Sequence, residues 1–149
     1  PAFGRRPKKA GGQGIGRSRG GLTTKLHVAV DALGNPLRII LSAGQIADIE
    51  QAAALIKDQS AEFILADKGY DSDDFVSVIA EQGGQAVIPP RSNRLNSRSF
   101  DRHIYKSRNL IERFFSRIKQ FRRIATRYDK LAQSFLSFVH LACTIVWLA

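Results

Sequence analysis

Methionine is absent from all 149 residues, and the chain has one cysteine and one tryptophan. A lone Cys143 excludes an intramolecular disulfide, and its place in an apolar run marks it as a buried, inert thiol. His27, His103 and His140 are scattered and, with that one cysteine, make no zinc set. Charge is missing from one end: residues 131–149 contain no Lys, Arg, Asp or Glu. An uncharged stretch of that length raises the question of a membrane span. Gln133, Ser137, His140 and Thr144 recur there at spacings of four, three and four, so all four fall on one helical face. A span has no reason to keep such a stripe; a packed core helix does, and no membrane partner is expected. Pro1 stands first and no signal peptide is present, so the chain is expected to be a piece of a longer protein.

Acid is scarce too. Thirteen Asp and Glu stand against 23 Lys and Arg, a net charge of +10. That excess points to an anionic partner, and its distribution says more. Residues 1–21 carry six basic residues and no acid; residues 22–90 carry four basic and ten acidic; residues 91–130 carry thirteen basic and three acidic. A basic arm, an acidic middle and a basic helix suggest nucleic acid gripped around a metal-seeking centre. At 44% hydrophobic residues with nine Phe, the chain has enough apolar material for one ordinary core.

Composition from Pro1 to Gly21 is Gly, Arg and Lys, read as a flexible basic arm or loop, with residues 22–149 as the folded domain. Gly14-Ile15-Gly16 is no nucleotide loop, because no strand precedes it and no Gly-Lys-Ser/Thr is present. Thr24, Leu26, Val28 and Val30 alternate with Thr23, Lys25, His27 and Ala29, the period of a half-buried strand. With Gly34-Asn35 and the run Leu37–Leu41, this predicts a hairpin in which Asp31 ends the first strand and caps the turn. Asp48 and Gln51 resemble a capping box ahead of a helix to about Lys57. The run 63–66 predicts a strand buried on both faces. A helix over 73–82, a strand over 86–88 and a polar, basic loop over 91–100 follow.

The helix beginning near His103 carries the most informative pattern: Tyr105, Arg108, Glu112 and Lys119. At about 100° per residue they fall within roughly 60° of one another, in a stripe about 21 Å long. Leu110, Ile111, Phe114, Ile118 and Phe121 form an apolar face beside it. Such a helix buries one side and offers a carboxylate flanked by cations, which suits a metal that must meet a phosphodiester. Any one of the four would pass as part of a solvated face. Asp67 directly follows the buried run 63–66, and ligands of open α/β sheets gather at the carboxyl ends of strands. Alone, Asp67 would read as a turn or cap residue. Two carboxylates from different elements can share hard divalent cations.

Here the chain resembles the bacterial insertion-sequence transposases of the DDE type. Tyr105-x-x-Arg108-x-x-x-Glu112-x-x-x-x-x-x-Lys119 is similar to their signature, and Asp67-Lys68-Gly69-Tyr70-Asp71 to their second acidic motif. Gly16–Lys25 and Arg127–Leu131 are also similar to that group, so the resemblance covers nearly the whole chain. It implies an α/β, ribonuclease-H-like mixed sheet flanked by helices. It also implies dependence on Mg²⁺ or Mn²⁺, and cutting and joining of DNA at transposon ends and target. Asp67 and Glu112 would be the catalytic metal ligands. Arg108, Lys119 and Tyr105, with Arg17 and Arg19 of the basic arm, would hold DNA. A bacterial cytoplasmic, nucleoid-associated homo-oligomer is the implied setting.

One departure matters. The family pattern has a first aspartate, followed by Ser or Thr, on the central strand of the sheet. No Asp-Ser/Thr strand stands before Gly21, and Asp71-Ser72 lies after the second motif. The chain is therefore expected to lack that strand, to be inactive alone, and to need an upstream transposase segment carrying the first Asp. The alternative reading is a non-catalytic DNA-binding remnant. A basic structural protein of a ribonucleoprotein would have no reason to bring Asp67 and Glu112 together.

Overall fold

The computed structural model describes residues 13–149. Its first elements are three antiparallel strands, β1 (Gly16–Ser18), β2 (Gly21–Val30) and β3 (Pro36–Ala43). The arm expected over 1–21 is thus a strand at Gly16–Ser18, and residues 1–12 of it lie outside the described residues. The cause is Gly21, whose φ of +98° lets the chain reverse so that Arg17 faces Leu22. β2 and β3 form a long ribbon joined by a turn that Asp31 organises. Its carboxylate accepts from the amides of Leu33 (2.8 Å) and Asn35 (2.9 Å), and Gly34 takes the left-handed position at φ +83°.

The ribbon is covered on both faces. Leu26, Val28, Val30, Ile39 and Leu41 pack on one side against Phe114, Ile118, Phe135, Val139, Cys143 and Val146. On the other, Ala29 and Ile40 meet Ala52, Leu55, Ile56, Phe75, Ile79 and Ile88. His27 was expected on a half-exposed polar face, yet it is buried and hydrogen-bonded to Ser42 Oγ at 2.7 Å. Helical cover on that face is the reason.

After the ribbon comes a 3₁₀ turn (Asp48–Gln51) and a short helix α1 (Ala52–Ile56) in place of one longer helix. No side chain caps that turn, so the expected capping box does not form; the Asp48 carboxylate pairs instead with Lys25 Nζ at 2.9 Å. Arg38 Nη1 donates to the carbonyls of Ala54 and Lys57 and stops α1 at its C-terminal end. Next come β4 (Phe63–Leu65), a 3₁₀ turn (Lys68–Tyr70), α2 (Asp73–Glu81) and β5 (Gln85–Val87), with β5 parallel to β4. β4 is half-buried, not buried on both faces as its composition predicts, because it borders an open groove.

The signature segment is a jointed rod: α3 (Arg102–Tyr105), a 3₁₀ turn (Lys106–Arg108) and α4 (Asn109–Ile118). Asp101 caps it by accepting from the amides of His103 and Ile104. A one-turn α5 (Arg122–Ala125) leads to α6 (Ala132–Leu148). Gln133, Ser137, His140 and Thr144 are all exposed along α6, while Phe135, Val139, Ala142, Cys143 and Val146 are buried. Among the described residues no helix is long and apolar enough to cross a membrane.

Phe114 is 1% exposed at the centre of the α4–α6 core. Phe114→Ala is expected to cost about 3–5 kcal/mol, read as a lower urea midpoint with an unchanged slope.

Candidate active groove

A groove of about 960 Å³ runs between the two sheets, floored by α1 and walled by the α3–α4 rod. Both β2 and β4 border it. Among the described residues β2 pairs with β1 and β3 only, and β4 with β5 only, so the sheet is divided at this point. Asp67 and Glu112 both line the groove, although they come from distant parts of the chain. Asp31 also reaches its rim, with its carboxylate committed to the hairpin turn.

Asp67 ends the β4 crossing and caps the 3₁₀ turn that follows, accepting from Gly69 N at 2.8 Å. A Cβ at Gly69 would sit 2.8 Å from Asp67 Oδ1 and 3.9 Å from Asp48 Oδ2. A side chain at residue 69 would have to push the Asp67 carboxylate aside. Asp48 is thus a second carboxylate beside Asp67, which the sequence had suggested only as a cap. Lys25 Nζ holds it and also donates to Ile46 O at 2.7 Å. Tyr70 lies against the pair. Burial, then the charges of Asp48 and Asp67, push its phenol up to about 12, so it is a protonated donor at neutral pH. Burial lowers the His27 imidazole despite the nearby Asp48, which makes it a neutral core histidine. Asp48, Lys25 and Tyr70 carried no distinguishing local pattern, since their meeting depends on three separate elements.

Behind Asp67 lies a knot of arginines. The Asp71 side chain is 1% exposed and accepts from Arg91 N (2.8 Å), Arg94 Nε (2.9 Å) and Arg98. Asp73 takes the other arms of Arg94 and Arg98. Arg91 donates to the carbonyls of Lys68 (3.2 Å) and Gly69 (2.8 Å), so the basic loop is tied to the turn that carries Asp67. Burial alone would raise the Asp71 carboxyl; the Arg91 amide and the two guanidinium groups outweigh it and hold it below the usual carboxylate range.

On the rod, Arg108 is ion-paired with Glu112 and also lines the groove. Glu112 is 61% exposed, and a pair so open is worth about 0–1 kcal/mol. Arg108 can therefore exchange it for another anion at little cost. Tyr105 sits beneath Arg108, with the guanidinium 5.7 Å from its ring centre, and is outside the groove lining. Lys119 follows α4, exposed, with Nζ 6.0 Å from the ring of Phe115, a groove residue. Arg17 and Arg19 are exposed on the β1–β2 hairpin, away from the groove lining. Asp67, Arg108 and Glu112 thus line one groove, with Asp31 also in its lining, and Tyr105, Lys119, Arg17 and Arg19 lie outside that lining.

The oxygen donors at Asp67 and Glu112 suit a hard divalent cation in kind. They fall short in number, since among the described residues no three His, Cys, Asp or Glu side chains converge.

Residues 2–147 match the family model described as the transposase DDE domain. A protein from Brucella ovis, named as a transposase for insertion sequence element IS6501, is 40% identical over 129 residues, 85% of this chain and 99% of that one. Another from Burkholderia cepacia, named for element IS402, is 29% identical over 150 residues, 93% of this chain and 68% of that one. No solved structure matches significantly.

Asp71→Asn should cost about 1–3 kcal/mol, because it leaves three arginine donors short of a charged acceptor. The depressed carboxyl contributes stability that is present above its unfolded value of about 3.9 and lost as pH falls through the lower folded value. Acid unfolding followed by circular dichroism should therefore be flatter below about pH 4 in the variant.

Proposed function

This chain belongs to the transposase DDE domain family, and from that premise we propose that it is the catalytic portion of an enzyme cutting and joining DNA at the ends of a mobile element. The observation that supports the proposal is that Asp67 and Glu112, from distant parts of the chain, both line one groove. In this reading they are the catalytic carboxylates and would hold Mg²⁺ or Mn²⁺, hard cations that take oxygen ligands. Such ions, when bound, supply positive charge to the attacking and leaving oxygens of an in-line displacement at phosphorus. Arg108 gives up its weak pair with Glu112 to hold a phosphate beside the cut. Lys119, Tyr105, Arg17 and Arg19 extend the grip along the DNA. The enzyme works as a homo-oligomer on transposon ends and target, in the bacterial cytoplasm at the nucleoid.

We also infer what completes the site. β2, which over Thr24–Val30 pairs with β3 alone, and β4, which pairs with β5 alone, border the groove without pairing to each other, and unpaired strand sides are places where another strand adds. We place the central strand of a ribonuclease-H-like sheet here, supplied by an upstream transposase segment and bearing the first aspartate. That strand would join the two sheets into one and bring the third carboxylate to Asp67 and Glu112. A second reading, a DNA-binding remnant without cleavage, is favoured by the short donor set.

Nicking of supercoiled DNA in Mg²⁺ separates the two. Residues 1–149 alone should not cleave, whereas addition of an upstream segment with its aspartate should restore cleavage. Glu112→Gln in that complex should lower cleavage by about 100-fold or more, beyond the 10–100-fold typical of residues that merely orient a ligand. DNA affinity should change little, because no phosphate-binding cation is lost. Unaided cleavage by residues 1–149 would sink the completing strand; inactivity even with the segment would leave the remnant reading.

A further inference from the structure

The α3–α4 rod has a second charged side that the groove does not use. Arg102, Lys106, Asn109 and Arg113 recur at four, three and four residues, which sets them on one face, and all four are exposed. The groove instead takes Ile104, Ser107, Arg108, Leu110, Ile111, Glu112 and Phe115 from the same rod. No ion pair among the described residues involves Arg102, Lys106 or Arg113, whereas Arg94, Arg98, Arg108 and Arg123 are each matched to a carboxylate. Arg102 and Lys106, like charges spaced four apart, repel on a helix, and no ion pair among the described residues offsets that cost.

We propose that this ridge, Arg102, Lys106 and Arg113, is a separate track for the phosphate backbone of duplex DNA, distinct from the DNA at the groove. It rests on the DNA-acting reading above. The ridge offers no apolar side chain, so it has neither the core of a protein interface nor the apolar face of a membrane-surface helix. Eleven residues of helix span about 17 Å, a length over which a duplex presents about ten phosphate charges. None of the ridge residues lines the groove, so a duplex on the ridge is held by cations other than the Arg108 beside Glu112. The transposase would thereby hold a second stretch of DNA in fixed relation to the first.

The test is the salt dependence of binding to a labelled 40-base-pair duplex, by fluorescence anisotropy between about 50 and 200 mM salt. The variants are R102A/K106A/R113A, R108A/K119A, and all five together. The ridge variant should lose about 2–3 from the slope of log affinity against log salt, at roughly 0.9 per phosphate contact. The five-fold variant should lose the sum of both sets. All three ridge residues are exposed, and an unchanged circular dichroism spectrum would show that the fold is kept. A ridge variant with the parent slope, beside a flattened R108A/K119A, overturns the ridge and spares the DNA-acting reading. Parent slopes in both overturn both. Loss of binding to phosphatidylserine vesicles with DNA binding intact would overturn the ridge in favour of a membrane surface.

Discussion

Everything in this molecule is arranged about the β2–β3 ribbon, because both of its faces have to be covered. Five apolar side chains on one face and the Ala29–Ile40 side on the other each recruit their own helical layer. The layers come from separate stretches, residues 52–88 and 114–146, so the chain wraps the ribbon twice. Each fully buried aliphatic or aromatic side chain contributes about 1.5–3 kcal/mol to that closure. Covering both faces leaves one side of β2 over Thr24–Val30, beyond the reach of β1, without a strand partner among the described residues, and β2 borders the groove.

Charge is divided between holding the protein and meeting a partner. Arg91, Arg94 and Arg98 are bound to Asp71, Asp73 and the backbone of the Asp67 turn. Arg127 is similarly committed: it donates to Gln13 O, Thr24 Oγ1 and Asp129 O, and lies over the ring of Phe135. It ties the start of the described chain to the loop before α6. A net charge of +10 therefore overstates the surface offered to an anion, and the cations left over cluster on the rod and the first hairpin.

The groove joins these two themes. Its lining is largely apolar, with Asp48, Asp67, Arg108 and Glu112 among its charged residues, and β2 and β4 both border it. Gly69 shows how closely the acidic end is built, since the Asp67 carboxylate takes the room a side chain would need. Membership of the transposase DDE family gives this arrangement a chemical setting that geometry by itself does not name.

From the sequence alone came the elements with strong periodicity and local turn chemistry: the ribbon, the Asp31 turn, α2, α6 and the helix that carries the signature. Those rest on neighbours in sequence, so local pattern suffices to determine them. The signature spacing and the position of Asp67 after a strand also pointed to one site before any geometry was known. Tertiary structure decided the rest. Asp48 left its expected cap for Lys25, His27 went under α1, and Gly16–Ser18 became a strand. The basic loop over 91–98 was turned inward by Asp71, a residue whose letter looks like any other turn acid. Gly16–Ser18 pairs with residues 21–23 across one turn, but Asp48 and the basic loop depend on partners twenty or so residues away, and His27 on cover from another layer. Such encounters are set by how the layers pack around the ribbon, and no local pattern records them.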